Sequence, residues 1–334
     1  MEKLKNHWYL ICPVADLKDQ MVVKTILGEK IILFKDGEDH IVALEDRCCH
    51  RNVQLSLGYL ADGKAVCGYH GWEYNGHGHC VKIPSQLPDT KIPPTARIKS
   101  YPVKEFNKWI WVFIGEDQQA EQRQPLDIPE MGQWDFTYKS HVFKGELESV
   151  AESLIDPYHI AFTHRNSIGS FMGQIEEFPA DFNLNIVDDG LDGFYSRANR
   201  GSLAEKMYFG TDKNITARIR FYFPNMSRLQ VEFKERTLLI LEHVMAVDEE
   251  HVEMMQITLW KNIFAFFPAF ARFFMARKSE KIVNEDIVLL ESQLEIMKSR
   301  NGDYRDISVK GDEVSLLFKK FWRRKMKEET ENQA

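Results

Sequence analysis

The stretch that decides the fold of the first part of the chain runs from Cys48 to Trp72 and reads CCHRNVQLSLGYLADGKAVCGYHGW. It contains two short pairs, Cys48-x-His50 and, after sixteen further residues, Cys67-x-x-His70. Two Cys/His pairs on two loops can hold a metal centre with sulfur on one side and imidazole on the other. A structural zinc site usually draws its pairs as Cys-x(2–4)-Cys and His-x(3–5)-His, so these mixed pairs disfavour a single zinc without excluding it.

Composition places the chain among soluble globular proteins. Its 334 residues are enough for two domains with a substantial core, and 44% of them are hydrophobic and 28% charged. The net charge of −7 argues against a general nucleic-acid binder. Five cysteines, an odd number, favour a reducing compartment over a disulfide scaffold. The first residues lack the long apolar run of a signal peptide, so we expect a cytoplasmic protein.

Short predicted strands fill the first part of the chain, from Trp8 to about Glu116. Each is rich in β-branched and aromatic residues and is followed by a Gly, Asp or Asn turn. The strands are MVVKTI, KIILFK, HIVALE, KAVCGY and KWIWVFIG. We therefore predict an all-β domain over residues 1–116, with the Cys/His loops at one end, and a polar linker over residues 117–125.

Residues 126–334 mix helices and strands. The segment VFKGELESVAESLIDPYHIAF is predicted to be largely helical, and a long helix is predicted from Arg277 to Arg300. Between them, six segments alternate like antiparallel strands. They are DFNLNIVDDG, DGFYSRANR, ITARIRFYFPN, SRLQVEFKE, RTLLILEHVMAVD and HVEMMQITLWK. This order predicts an α+β domain of the helix-grip type, in which a long helix lies across a curved antiparallel sheet and can enclose an apolar cavity.

A second group of ligand-type residues lies in AESLIDPYHIAFTHRN, where Asp156, His159 and His164 have the spacing Asp-x-x-His-x(4)-His. The two histidines are about 140° apart on an ideal helix, so the helix must bulge or end between them if both bind one metal. Pro157 favours a break because it disfavours the α conformation at Asp156. On local grounds alone, Asp156 is a helix N-cap and the histidines are ordinary polar residues. Their presence beside the Cys/His pairs favours a metal site.

Two histidines and one carboxylate on one face of an iron ion form the facial triad of non-haem Fe(II) oxygenases, so a third ligand is expected. The helix SEKIVNEDIVLLESQLEIMKSR places Asp286 on its apolar stripe with Val283 and Leu290, whereas Glu285 is rotated about 100° away. A carboxylate on an apolar face is costly unless it is paired or binds a cation. We therefore predict Asp286 as the third ligand, with a solvated acid in the first turns of the helix as the alternative.

The whole chain resembles the terminal oxygenase component, or α subunit, of a Rieske non-haem iron oxygenase. The resemblance rests on the flanks GYHGWEYNGHG, on Glu152-x(3)-Asp156-x(2)-His159-x(4)-His164, and on NEDIVLLESQ. It implies a Rieske [2Fe–2S] cluster and a mononuclear Fe(II). The implied cluster ligands are Cys48, His50, Cys67 and His70, and the implied iron ligands are His159, His164 and Asp286. Two positions depart from the family pattern, Cys49 in place of proline and Ser153 in place of an asparagine near the iron.

The resemblance also implies partners. Members of the family are head-to-tail homotrimers in which the cluster of one subunit serves the iron of the next, with Asp156 joining His70 of one subunit to His159 of its neighbour. The implied reaction consumes O2 and hydroxylates or dealkylates a small organic substrate. The chain has no G-x-G-x-x-G fingerprint and no second set of four cysteines. Electrons are therefore expected from a separate NAD(P)H-dependent reductase, a ferredoxin, or both.

Two further segments bear on the substrate. The Phe-rich segment Lys261–Lys278 is too short and interrupted for a membrane span, and suits a lid, a core segment or an interfacial anchor. The basic tail Leu316–Lys327 suits a membrane surface, an acidic partner, or a helix docked on a neighbouring subunit. Together they favour a lipophilic or aromatic substrate and allow peripheral membrane contact. The alternatives to an oxygenase are a Rieske-type electron carrier, a lipid-binding module and a zinc-stabilised interaction protein.

Overall fold

The chain divides into two compact units, Met1–Gln133 and Trp134–Ala334. The computed structural model describes residues 4–18, 20–87, 89–168, 182–198, 214–233, 236–261, 268–300 and 306–332. The division between the units lies beyond the predicted linker, residues 117–125, where Asp117–Gln122 forms a short helix, α1. The domain boundaries drawn from the sequence therefore stay predictions.

Three small antiparallel sheets build the first unit, with strand orders β1-β10-β9, β2-β3-β4 and β5-β6-β7-β8. The strands are β1 (His7–Pro13), β2 (Val22–Ile26), β3 (Glu29–Lys35), β4 (Ile41–Glu45), β5 (Tyr59–Ala61), β6 (Lys64–Val66), β7 (Glu73–Tyr74), β8 (Cys80–Lys82), β9 (Val103–Phe106) and β10 (Trp109–Ile114). The five strands predicted from the sequence are present as β2, β3, β4, β6 and β10. The all-β character of this unit is therefore confirmed.

The two Cys/His loops follow β4 and β6, so that each begins where a buried strand ends. Glycines let the loops approach each other closely: a Cβ atom on Gly58 would lie 1.9 Å from the carbonyl oxygen of Val66, and one on Gly68 would lie 2.8 Å from that of Leu57. Any larger residue at Gly58 would push the loops apart.

One seven-stranded antiparallel sheet forms the second unit, in the order β11-β17-β16-β15-β14-β13-β12. The strands are β11 (Asp135–Lys144), β12 (Asn183–Val187), β13 (Gly190–Ala198), β14 (Asn214–Tyr222), β15 (Met226–Phe233), β16 (Arg236–Ala246) and β17 (His251–Lys261). The last six match the six predicted strands. The sequence prediction was wrong for residues 142–144, which belong to β11 rather than to a helix, because β11 pairs with β17 along its whole length.

Four helices accompany this sheet in the described part of the unit: α2 (Leu147–Ser153), α3 (His159–Thr163), α4 (Pro268–Ser299) and α5 (Glu313–Asn332). Helix α4 begins earlier than the predicted Arg277 because Pro268 opens it, a residue well suited to a first helical position. Part of the Phe-rich segment is therefore helical, with Phe270 and Phe273 exposed and Ala271 packed against Trp260. The rest of that segment, residues 262–267, lies outside the described residues.

The basic tail forms α5, and its aromatic residues enter the core of its own unit. Phe318, Phe321 and Trp322 are buried, and the rings of Phe318 and Phe221 of β14 meet edge to face with centroids 5.4 Å apart. Each buried aromatic side chain removes about 150–250 Å² from water. These aromatic side chains therefore pack against the sheet of the same unit. The expected contact of these side chains with a membrane has no support. In the described residues, no helix is long and apolar enough to cross a bilayer.

One face of the sheet meets the helices. Val244 of β16, Met254 of β17 and Phe221 of β14 lie on this inner face and share a core with Val283 and Leu290 of α4. The α+β architecture with a long helix across an antiparallel sheet is therefore confirmed. Asp286 lies on the same stripe of α4 as Val283 and Leu290, with its side chain 14% exposed.

Candidate metal centres

The two Cys/His loops use the same main-chain turn twice. In the first loop, the N–H of Cys48 donates to the carbonyl five residues later, 2.8 Å away, and its carbonyl accepts from the N–H of Asn52 at 2.9 Å. In the second loop, Cys67 makes the same two bonds, both at 2.9 Å, the second with Gly71. Asn52 and Gly71 both have positive φ, 58° and 69°, which asparagine and glycine tolerate best. Backbone bonds therefore shape both loops.

In these loops the cysteine sulfurs are buried, whereas the histidine rings lie nearer the surface. Cys48 and Cys67 are 1% and 2% exposed, and their thiols contact each other. The rings of His50 and His70 lie edge to face with centroids 4.8 Å apart, and His50 stacks on Trp72 at 4.6 Å. Among the residues that the structure describes, the buried Nδ1 of His50 has no hydrogen-bond partner, so this nitrogen is available as a metal ligand. This donor set fits a [2Fe–2S] cluster held by two thiolates inside and two imidazoles outside.

The hydroxyl of Tyr74 of β7 contacts both cysteines of the first loop. Its hydroxyl oxygen accepts from the N–H of Cys49 at 3.2 Å and lies 3.1 Å from the Sγ of Cys48 and 3.3 Å from that of Cys49. Because the tyrosine oxygen accepts from the backbone, its own hydrogen is free to donate to a sulfur. The Cys49 side chain packs beside the candidate ligands, and all five cysteines of the chain are free thiols.

A second group of ligand atoms lies in the other unit. One ligand atom each from His159, His164 and Asp286 lies within 4.8 Å of the others. The Nε2 atoms of His164 and His159 are 3.2 Å and 3.7 Å from Asp286 Oδ1. Helix α3 begins at His159 and ends at Thr163, so it ends between the two histidines as the predicted site requires. The structure therefore brings together the three side chains predicted as iron ligands.

Both imidazoles are oriented through their Nδ1 atoms. The Nδ1 of His159 lies 2.6 Å from the carbonyl oxygen of Asp156, and that of His164 lies 2.9 Å from Glu285 Oε2. Both partners can only accept, so each Nδ1 carries the hydrogen and each Nε2 keeps its lone pair toward Asp286. Burial is the main cause that lowers the pKa of both histidines, which favours the neutral form that binds metals.

Glu285 is a site residue that the sequence reasoning missed. Its Oε2 accepts from His164 and, at 2.6 Å, from the hydroxyl of Ser167. The periodicity of α4 placed Glu285 off the apolar stripe, and nothing local indicated that Ser167 and His164 would approach that side of the helix. A carboxylate behind a ligating histidine fixes the ring and raises its basicity.

The chain between α2 and α3 differs from a continuous helix. Asp156 lies in the break, where its Oδ1 accepts from the N–H of Tyr158 at 2.8 Å. The main-chain carbonyl of Asp156, and not its carboxylate, contacts His159 in the same chain. Ser153 donates to the carbonyl of Val150 at 2.7 Å, so the hydroxyl that replaces the family's asparagine closes a helical turn.

The electrostatics of the second site favour a cation. Burial, and then the charges of Glu242 and Glu285, raise the pKa of Asp286 to about 8. Three carboxyl groups near two neutral imidazoles in a buried place repel one another, and a divalent cation relieves that repulsion. Two imidazole nitrogens and one carboxylate oxygen on one side form the donor set that suits non-haem Fe(II). The residues present therefore fit a mononuclear iron.

Comparison with known proteins matches both units. Residues 7–102 match the Rieske [2Fe-2S] domain, and residues 143–328 match the vanillate O-demethylase oxygenase C-terminal domain. A putative toluene-4-sulfonate monooxygenase system iron-sulfur subunit from Comamonas testosteroni is 32% identical over 169 residues, 50% of this chain and 48% of that protein. The 4beta-methylsterol monooxygenase of Methylococcus capsulatus is 30% identical over 208 residues, 61% of this chain and 54% of that protein.

Solved structures agree in fold. Dicamba monooxygenase bound to 3,6-dichlorosalicylic acid superposes with a TM-score of 0.83 at 20% identity, covering 98% of each chain. The chain spans about half the length of the curated relatives that it matches in sequence. The likeness to dicamba monooxygenase shows a shared fold.

Proposed function

The chain belongs to the Rieske oxygenases with a vanillate O-demethylase-type C-terminal domain, and from that premise we propose that it is an O2-dependent oxygenase of a lipophilic or aromatic small molecule. The observation that carries the proposal is the group of His159, His164 and Asp286, whose ligand atoms lie within 4.8 Å of one another. A pure electron carrier or a lipid-binding module has no use for two oriented imidazoles facing one carboxylate.

Each proposed ligand has a defined role. Cys48, Cys67, His50 and His70 would hold the [2Fe–2S] cluster, and His159, His164 and Asp286 would hold the iron. When bound, the cluster supplies single electrons and the iron supplies open positions for O2 beside the substrate. The protein's own residues keep these centres in shape: the Asp156 carbonyl and Glu285 hold the two imidazoles, and the core around Val283 and Leu290 excludes water. Hydroxylation and oxidative dealkylation are both compatible with this arrangement.

The decisive experiment is metal analysis combined with turnover. Protein purified without oxygen should contain three irons and two labile sulfides per chain, and should consume O2 with an organic substrate when given a reductase. The matched variant His164→Ala should keep the two cluster irons and lose the third together with turnover. Zinc alone in the wild type would overturn the proposal in favour of an interaction protein, and two irons alone would favour an electron carrier.

The electron path is proposed to cross a subunit contact in a cytoplasmic homotrimer. A separate NAD(P)H-dependent reductase, a ferredoxin, or both would reduce the cluster, and the carboxylate of Asp156 would join His70 of one subunit to His159 of the next. In support, Asp156 is half-buried three residues before His159, and His70 is exposed. Asp156→Asn should abolish turnover while both metal centres stay loaded, and wild-type turnover in that variant would reject the bridge. A monomeric mass in solution scattering would reject the trimer.

A further inference from the structure

The inner face of the sheet carries a row of polar residues amid the apolar core of the second unit. Glu242 of β16 lies directly opposite Gln256 of β17 and Ser227 of β15. Gln256 Nε2 and the Ser227 hydroxyl each donate to the Glu242 carboxylate at 3.0 Å. The same inner face carries Val244 and Met254, which pack against α4 and α5. A carboxylate in such surroundings is costly unless hydrogen bonds or a cation compensate for its lost hydration, and here both donors are neutral.

Glu242 lies close to the candidate iron site. Its charge is one of the causes that raise the pKa of Asp286, which faces the sheet from α4. The Glu242 residue is half-buried, so part of its surface remains accessible to a ligand. Burial raises the pKa of Glu242, and the hydrogen bonds from Gln256 and Ser227 oppose this shift because they favour the carboxylate form. In that form, Glu242 would repel an anionic ligand brought against it.

Gln256 adds a second, independent sign of a ligand. Gln256 is 5% exposed, and its Nε2–H donates to the Glu242 carboxylate. Its Oε1 is buried and has no hydrogen-bond partner among the described residues. Buried acceptors are normally satisfied, and no donor for this oxygen lies within the described ranges, so a bound ligand could supply it. Lys139, which continues the row on the edge strand β11, is paired with Glu280 of α4. The row therefore offers two acceptors and no free positive charge among its described residues.

We propose that Glu242 and Gln256 form a polar subsite that binds an O–H or N–H group of an otherwise apolar, uncharged substrate and selects against carboxylates and sulfonates. This inference rests on the proposed oxygenase function, since it names the substrate class of that site. Ser227 positions the Glu242 carboxylate from the side opposite Gln256. The substrate's donor would lie against the sheet, with its apolar part between the sheet and α4.

Binding of three matched probes tests the subsite. 2-Naphthol, naphthalene and 2-naphthoate share one ring system and differ in carrying a donor, nothing or an anion. We measure their dissociation constants for the iron-loaded enzyme without oxygen, by quenching of tryptophan fluorescence. In the wild type, 2-naphthol should bind about tenfold more tightly than naphthalene, the size of one hydrogen bond to a charged acceptor, and 2-naphthoate should bind most weakly.

Two variants separate hydrogen bonding from charge. Glu242→Leu should lose the tenfold preference for 2-naphthol over naphthalene. Glu242→Gln should keep that preference and bind 2-naphthoate about tenfold better than the wild type does. Gln256→Leu should reduce the preference by about threefold or more. Thermal melting and the visible spectrum of the cluster confirm that each variant is folded.

The outcomes distinguish this subsite from the oxygenase function. Equal binding of 2-naphthol and naphthalene by the wild type, or an unchanged preference in Glu242→Leu, overturns the subsite and leaves the iron assignment standing. Conversely, the predicted binding pattern in a protein that never consumes O2 would support the subsite and reject the oxygenase function. A variant that fails to melt cooperatively is replaced by Glu242→Met, for which the same loss of preference is expected.

Discussion

The hydrogen bond between Glu285 and His164 allows a sharp prediction about iron affinity. Glu285 Oε2 holds His164 Nδ1 at 2.9 Å and the Ser167 hydroxyl at 2.6 Å. His164 is 2% exposed, and Glu285 is the acceptor that fixes its Nδ1–H. The imidazole would then lose both its fixed orientation and part of its basicity. We expect Glu285→Ala and Glu285→Gln to weaken Fe(II) binding to the second site.

The size of the effect follows from the geometry. Removal of a carboxylate behind a metal-binding histidine typically costs 10–100-fold in affinity, which corresponds to about 1.4–2.8 kcal/mol. Glutamine keeps one oxygen that can accept from His164, so Glu285→Gln should lie near the tenfold end. Alanine leaves the buried Nδ1–H without an acceptor, so Glu285→Ala should lie near the hundredfold end.

Fe(II) titration of iron-depleted protein against a competing chelator measures this affinity directly. Glu295→Gln is the matched control, since Glu295 is an exposed glutamate of the same helix. The visible spectrum of the cluster, whose ligands lie in the other unit, should not change in any of these variants. A dissociation constant for Glu285→Ala within about twofold of that of Glu295→Gln would refute the reasoning.

Three further predictions concern proton release on iron binding, the reduction potential of the cluster and the stability of the core. Because the pKa of Asp286 is raised to about 8 while burial keeps the histidines neutral, Fe(II) must displace one proton below that pH. The dissociation constant should therefore fall about tenfold per pH unit from 6 to 8 and level off above, and an affinity independent of pH would contradict the raised pKa. The same shift stabilises the metal-free fold at low pH, and this stability is lost as the pH rises through about 8. Tyr74→Phe removes a hydrogen-bond donor from the Sγ of Cys48. Since hydrogen bonds to the sulfurs raise the reduction potential of a cluster, this variant should have a lower potential in film voltammetry. An unchanged potential would show that the hydroxyl does not donate to sulfur. Phe318→Ala should cost about 3–5 kcal/mol in chemical denaturation, and Phe270→Ala, at an exposed position, less than about 0.5 kcal/mol; equal losses would show that α5 does not complete the core.

The sequence predicted best what is local. Both Cys/His loops are shaped by hydrogen bonds within six residues, so the spacing of Cys48, His50, Cys67 and His70 carries most of their geometry. The strands of the sheet were equally readable, because alternation along each strand reflects which face is buried. The break beside Pro157 was also foreseeable, since proline restricts the residue before it.

What the sequence could not predict depends on tertiary contacts. Glu285 became a partner of His164 because the turn after α3 packs against α4, residues separated by more than a hundred positions. Residues 142–144 have a helix-compatible pattern, yet pairing with β17 makes them a strand. The aromatic residues of α5 suited a membrane or a neighbour equally well until the sheet was seen to bury them. In each case the sequence shows the chemical type of the side chain, but it does not show which distant residue or strand that side chain contacts.

The repeated turn of the two Cys/His loops has a consequence for how the first unit acquires its metal. Each turn is closed by amide–carbonyl bonds that involve no sulfur or imidazole atom. These bonds do not depend on the ligand atoms, so we expect loss of the cluster to leave amide protection at Asn52 and Gly71 intact.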